Sequence, residues 1–145
     1  MKIIILNGSP RKNGATAKIL HTLENNLLKF DNVEIEFINL IDKNIQQCRG
    51  CCSCYKTGKC FINDDADILS KKIESADGLI IGSPTYASNV SGLLKQFIDR
   101  GHFVIEQLLH NKYAISIATG ENYGSNDRNT YRNYNGTYLS GVYKK

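Results

Sequence analysis

The opening of the chain constrains its fold most. An apolar run, Ile3-Ile4-Ile5-Leu6, breaks into Asn7-Gly8-Ser9-Pro10-Arg11-Lys12-Asn13-Gly14-Ala15-Thr16, and an amphipathic run from Ala17 to Leu28 follows at once. A strand feeding a polar, glycine-bearing loop and then a helix gathers backbone N–H groups and the positive end of a helix around one concavity, which suits a phosphate. The spacing narrows the kind of phosphate. Gly8 and Gly14 are followed by Ala15-Thr16, so the Lys that a nucleoside-triphosphate loop sends to the distal phosphates is absent. The three close glycines of a dinucleotide site are absent as well. A single terminal phosphate fits, with hydroxyls from Ser9 and Thr16, an amide from Asn13 and a charge from Arg11; flavin mononucleotide (FMN) carries such a group. The same residue types also build plain turns and helix caps, so this loop alone leaves both readings open.

A second segment repeats the architecture. Ala76-Asp77-Gly78-Leu79-Ile80-Ile81 reads as a strand, Gly82-Ser83-Pro84-Thr85-Tyr86-Ala87-Ser88-Asn89 as a loop, and Leu93, Leu94, Phe97 and Ile98 have the one-face spacing of a buried helix. Over the whole chain the pattern predicts strand 2–7, helix 15–29, strand 33–39, a cysteine loop 43–64 and helix 65–75, then strand 78–82, helix 90–109 with a break near Gly101, and strand 113–118. Such alternation predicts an α/β fold, a doubly wound parallel sheet with helices on both faces. In open parallel sheets ligands bind outside the carboxyl ends of the strands, so the two loops are expected to line one crevice.

The five cysteines all fall between Cys48 and Cys60, which is no framework for a secreted disulfide protein. Cys48, Cys51, Cys54 and Cys60 stand as C-x2-C-x2-C-x5-C, with Cys52 as an extra. The first three share the pitch of cysteines that wrap a cubane [4Fe-4S] cluster. Structural zinc prefers two separated Cys-x2-Cys pairs. A cluster, zinc and free thiols all remain open from the spacing.

Gly8-Ser9-Pro10-Arg11, Gly82-Ser83-Pro84-Thr85-Tyr86 and the run from Leu94 to Arg100 together resemble the flavodoxin-like NAD(P)H-dependent FMN reductases, in particular their iron-sulfur flavoprotein branch, over residues 1–120. The resemblance implies a flavodoxin-like fold. It implies that Ser9, Arg11, Asn13 and Thr16 hold the FMN phosphate, that Pro84, Thr85, Tyr86, Ser88 and Asn89 run along the ring and ribityl chain, and that Thr119 and Gly120 complete a third edge. It implies the cluster at Cys48, Cys51, Cys54 and Cys60, NAD(P)H as substrate, and a quinone, free flavin or other small molecule as acceptor. Two alternatives accompany it: an electron-transfer module that uses no pyridine nucleotide, and a shortened, non-catalytic relative.

Composition agrees with this reading. At 145 residues the chain has the length of one domain: 1–120 as the FMN-binding part, 121–145 as a polar loop and a short last strand. The net charge of +4 comes from scattered lysines and suits an anionic cofactor better than nucleic acid. The apolar opening is too short for a signal peptide or a membrane span, so a cytoplasmic protein with no membrane partner is expected. Residues 121–137 carry almost no aliphatic side chain, and only Tyr138 to Tyr143 offers a further strand, so the fold is expected to be shortened at its C-terminus. The run from Val90 to Leu109 is more apolar than one buried helix face requires, which predicts a homodimer. His21, His102 and His110 are read as surface or packing residues, and Arg100 as a partner in an ion pair or a helix-end contact.

Overall fold

The computed structural model describes residues 1–100, 112–120, 131–132 and 137–143. Strand β1 (Lys2–Asn7) leads to α1 (Ala15–Leu27), β2 (Glu34–Asn39) and a single 3-10 turn at Leu40–Asp42. The cysteine segment contains a short helix, α2 (Ser53–Thr57), and precedes α3 (Asp65–Ser75). Then come β3 (Gly78–Tyr86), β4 (Asn89–Val90), α4 (Gly92–Arg100), β5 (Tyr113–Thr119), β6 (Tyr131–Arg132) and β7 (Thr137–Tyr143).

The sheet runs β2-β1-β3-β5-β7-β6, with β4 folded back on β3. Neighbours from β2 to β5 are parallel, which is the flavodoxin-like order expected from the sequence. Strand β1 shows why the chain folds this way. Its alternate residues Ile4 and Leu6 enter one core with Leu69 and Ile73 of α3 and Leu94 and Phe97 of α4. Ile3 and Ile5 enter the other, with Leu20 of α1, Ile80 and Ile117. A strand apolar on both faces needs cover on both, and only helices on opposite sides supply it.

Three features depart from the sequence-based expectation. First, β3 continues past Gly82 to Tyr86. Strand β1 ends at Asn7 opposite Gly82, whereas β5 pairs on to Pro84 through Thr119; beyond Gly82 one side of β3 is unpaired, and a proline is tolerated there. Second, Ala87 and Ser88 both take positive φ, 47° and 63°, the two-residue reversal that turns β3 back against β4. Third, β7 is not a further parallel strand but pairs antiparallel with β5. A parallel return needs a covering helix, and the residues from Gly120 to Gly136 include no aliphatic side chain with which to build one.

The apolar residues of α4 are used within the chain: Leu94 and Phe97 are core, and Leu93 and Ile98 pack against it, as does Val90 of β4. Phe103, Val104, Ile105, Leu108 and Leu109, on which the expectation of a homodimer also drew, lie outside the described residues, as do His102 and His110. Among the described residues no helix is long and apolar enough to cross a membrane.

Two glycines mark where backbones come closest. A Cβ on Gly82 would lie 2.7 Å from Leu20 Cδ1, and one on Gly8 would lie 2.9 Å from Leu94 Cβ and 3.0 Å from the Gly82 carbonyl oxygen. The Gly8 contacts are with a backbone atom and a side-chain root, neither of which moves easily. Gly8→Ala is therefore expected to cost about 1–3 kcal/mol, read as a lower urea midpoint at unchanged slope.

Candidate functional site

The end of β1 meets the middle of β3 through one bond: the Gly8 amide donates to the Gly82 carbonyl at 2.7 Å. Above it, the buried Asn7 carboxamide accepts from the Ser9 amide at 3.1 Å and donates to Asn39 Oδ1 at 2.8 Å. Ser9 is buried, and its Oγ accepts from the Arg11 amide at 3.1 Å, while the Gly14 amide returns to the Arg11 carbonyl at 3.1 Å. The loop is thus held by its own short side chains. Helix α1 then opens at Gly14 with no side-chain cap and no acidic residue in its first turn. Among the described residues the amides of Asn13, Ala15 and Thr16 have no acceptor. Uncapped first-turn amides beside an exposed arginine suit an anion, and this donor set fits the FMN phosphate.

The other two loops close on the first. Thr16 Oγ1 lies 2.7 Å from Thr119 Oγ1 in a buried contact that joins α1 to the end of β5. Thr119 pairs with Pro84, and the Cα substituent position of Gly120 points to Thr85, 3.7 Å from its Cβ. Ser9, Thr16, Pro84, Thr85, Thr119 and Gly120 are therefore brought together at the carboxyl ends of β1, β3 and β5. Arg11 and Asn13 are exposed on the first loop; Tyr86, Ser88 and Asn89 are exposed around the β3–β4 reversal, Tyr86 at 42%.

Ser91 was not among the residues singled out from the sequence, yet it links all these parts. Its hydroxyl donates to the Gly8 carbonyl at 2.6 Å and accepts from the Leu94 amide at 3.1 Å, and its amide donates to Ser83 Oγ at 2.9 Å. It is the N-cap of α4, and a serine directly before a helical apolar pattern is the signal that could have found it.

The cysteine segment is anchored at both ends. Ile45 and Ile62 are buried on either side of it. Asp64 caps α3 by accepting from the Ala66 amide at 3.0 Å, and it also accepts from the Gln46 amide at 2.8 Å. Arg100, the last residue of α4, grips the same carboxylate with both terminal nitrogens, at 2.6 and 3.0 Å, and donates to the carbonyls of Gln46 and Ile62 at 2.9 and 3.1 Å. Gln96, one turn earlier on α4, donates to the Ile45 carbonyl. Both side chains of the Asp64–Arg100 pair are 1% exposed. The ion pair expected of Arg100 exists, but inside the fold and not at an exposed helix end. Asp99 pairs instead with Lys95, and His21 stacks on Phe37 at 4.1 Å while bonding Glu24.

No disulfide joins the five cysteines: Cys48, Cys51 and Cys52 are exposed, Cys54 and Cys60 half-buried. The chain turns sharply among them, with positive φ at Gly50, Cys52 and Gly58. The Gly50 amide donates to Cys48 Sγ at 3.4 Å, and Cys60 stands two residues before Ile62, whose carbonyl accepts from Arg100. Among the described residues no three His, Cys, Asp or Glu side chains converge on a point where a single metal ion would sit. The donor set, several accessible thiols on one pinned loop with N–H groups directed at sulfur, has the chemistry of an iron–sulfur cluster site.

Burial taken alone would raise the Asp64 carboxyl, but the Arg100 fork and the Gln46 and Ala66 amides outweigh it and hold its pKa below the ordinary value. A carboxylate depressed in the folded state stabilises fully above its unfolded pKa of about 3.9, and that contribution is lost as pH falls through the lower folded value. The wild-type chain is therefore expected to lose stability below about pH 4 more steeply than Asp64→Asn, compared by urea unfolding between about pH 3 and 7.

Comparison with known proteins follows the same lines. The family model described as NADPH-dependent FMN reductase matches residues 1–139. An iron-sulfur flavoprotein of Clostridioides difficile is 45% identical over 124 residues, covering 84% of this chain and 55% of that protein. One from Methanocaldococcus jannaschii is 37% identical over 140 residues, covering 96% of this chain and 72% of that protein. Among solved structures, an apo NADH:FMN oxidoreductase superposes with a TM-score of 0.61 at 26% identity, covering 83% of this chain and 59% of its own. The chain thus spans little more than half the length of the first of these relatives.

Proposed function

We propose a function from one premise: the chain belongs to the NADPH-dependent FMN reductase family. It is a flavin-dependent oxidoreductase that holds FMN at the carboxyl ends of β1, β3 and β5 and a [4Fe-4S] cluster on Cys48, Cys51, Cys54 and Cys60, and that passes electrons between a donor and a small acceptor. The observation that carries this reading is the joining of three loops into one crevice around the uncapped amides of α1. The cysteine spacing and the iron-sulfur flavoprotein relatives support the cluster.

FMN, when bound, supplies hydride acceptance and release of one or two electrons. The chain's own residues position it. The first-turn amides of α1 and the Arg11 guanidinium neutralise the phosphate, with the Ser9 and Thr16 hydroxyls beside them. Tyr86 gives the ring an aromatic neighbour that excludes water from one side, a contact worth on the order of 1 kcal/mol. Pro84 and Thr85 present a stiff backbone edge, and Thr119 and Gly120 leave room opposite it.

A second reading, direct reduction by NAD(P)H with electrons delivered to a quinone or free flavin, is favoured by the match to the reductase family over nearly the whole chain. Anaerobic mixing with NADPH or NADH separates the two. Bleaching of the flavin bands at stoichiometric nucleotide is the outcome expected of a reductase; a flavin that answers only to dithionite or a one-electron donor supports the electron-transfer module.

The phosphate assignment has its own test. A charge-assisted contact to phosphate contributes about 1.5–3 kcal/mol, so Arg11→Ala is expected to weaken FMN roughly 10- to 150-fold while leaving riboflavin affinity nearly unchanged. Equal losses for the two ligands, measured by fluorescence quenching, would exclude Arg11 from the phosphate site.

A further inference from the structure

Arg100 has five N–H donors, and four have acceptors: two on Asp64 and one each at the carbonyls of Gln46 and Ile62. The fifth, Nε–H, is buried with no partner among the described residues. A buried donor is rarely left unpaired in a native protein unless a ligand or ion takes it. Among the described residues the cysteine segment is the neighbour able to provide an acceptor, since the same guanidinium already holds the carbonyls of Gln46 and Ile62 on either side of it, and Cys60 stands two residues before Ile62. The other four bonds have one geometric effect. They clamp the residue that precedes the cysteines, Gln46, to those that follow them, Ile62 and Asp64, across a gap that the cysteines span.

We propose that Arg100 is a positioning residue for the iron–sulfur centre: it locks the two ends of the cysteine loop with its terminal nitrogens and keeps its Nε–H for the sulfur at the Cys60 corner. This rests on the reading that Cys48, Cys51, Cys54 and Cys60 hold a cluster. Hydrogen bonds to sulfur help set a cluster's reduction potential; because Asp64 offsets the Arg100 charge, the free Nε–H donor is the feature that favours the reduced state, which carries one more negative charge. Lysine cannot substitute: it has the charge but lacks the planar fork that meets a carboxylate and two carbonyls at once.

The test uses the full chain, reconstituted anaerobically with iron and sulfide. Wild type is expected to retain about four irons per chain; a wild type that takes up none overturns the cluster reading, and this inference with it, before any variant is read. The informative variant is Arg100→Met combined with Asp64→Asn, which leaves no charge stranded; far-UV circular dichroism and FMN stoichiometry report its fold. At equal iron loading the double variant, whose local net charge is unchanged, is expected to raise the oxidised-to-reduced ratio of the cluster about tenfold at a fixed solution potential through the lost N–H···S bond, equivalent to about 59 mV for a one-electron couple, while Asp64→Asn alone, which leaves the Arg100 charge uncompensated, moves the ratio the other way. Where the double variant fails to fold or to hold iron, Arg100→Lys is read in its place and is expected to shift the ratio in the same direction. Iron content and potential equal to wild type in whichever variant is read overturn the role assigned to Arg100.

Discussion

The crevice depends on the 2.7 Å bond from the Gly8 amide to the Gly82 carbonyl. Parallel strands place their carboxyl ends side by side, but side chains normally hold the loops beyond them apart. Here both positions lack a Cβ, and α1 and α4 close over them from opposite faces, Leu20 against Gly82 and Leu94 against Gly8. Because the backbones touch, the polar groups after β1 and β3 share one concavity. Because α1 starts directly above, its unpaired amides face the same space. The glycine requirement is thus steric: a Cβ at Gly82 would collide with α1, and one at Gly8 with α4 and the neighbouring strand.

Helix α4 carries this order across the molecule. Its first turn is fixed at the crevice through Ser91, which contacts Gly8, Ser83 and Leu94 at once. Its last turn is fixed at the cysteine segment through Gln96 and Arg100. Nine helical residues span about 12 Å at 1.5 Å per residue, and Leu94 and Phe97 bury the length between in the core. The loops of the crevice and the cysteine loop, far apart in sequence, are held by opposite ends of the same element.

Much of this was legible in the sequence, and the parts that were not share a cause. The strands ending at Asn7 and Thr119, the helices over 15–27 and 65–75 and the two polar loops announce themselves by apolar period and turn chemistry, which are local. The extension of β3 to Tyr86 depends on β5 pairing further than β1 does. The antiparallel course of β7 depends on what the preceding segment cannot form, and α2 interrupts a run whose cysteines dominate its composition. Arg100 is the plainest case: its partner Asp64 lies thirty-six residues away, so an ion pair was foreseeable and its partner was not. A serine N-cap, in contrast, is a local signal, and Ser91 was within reach of sequence reasoning.

The Asp64–Arg100 pair also bears on why a polar clamp is used at all. Desolvating two charges costs several kcal/mol per ion, and a hydrophobic replacement of equal volume is often as stable, so net stability is a weak account of the pair. Geometry is a stronger one. An apolar contact would hold the loop ends near each other with freedom to slide, whereas a carboxylate with four acceptor bonds filled by Arg100, Gln46 and Ala66 fixes them in register and orientation. The cysteine loop depends on that precision at its base, because its cysteines are exposed or half-buried and the chain between them turns at Gly50, Cys52 and Gly58.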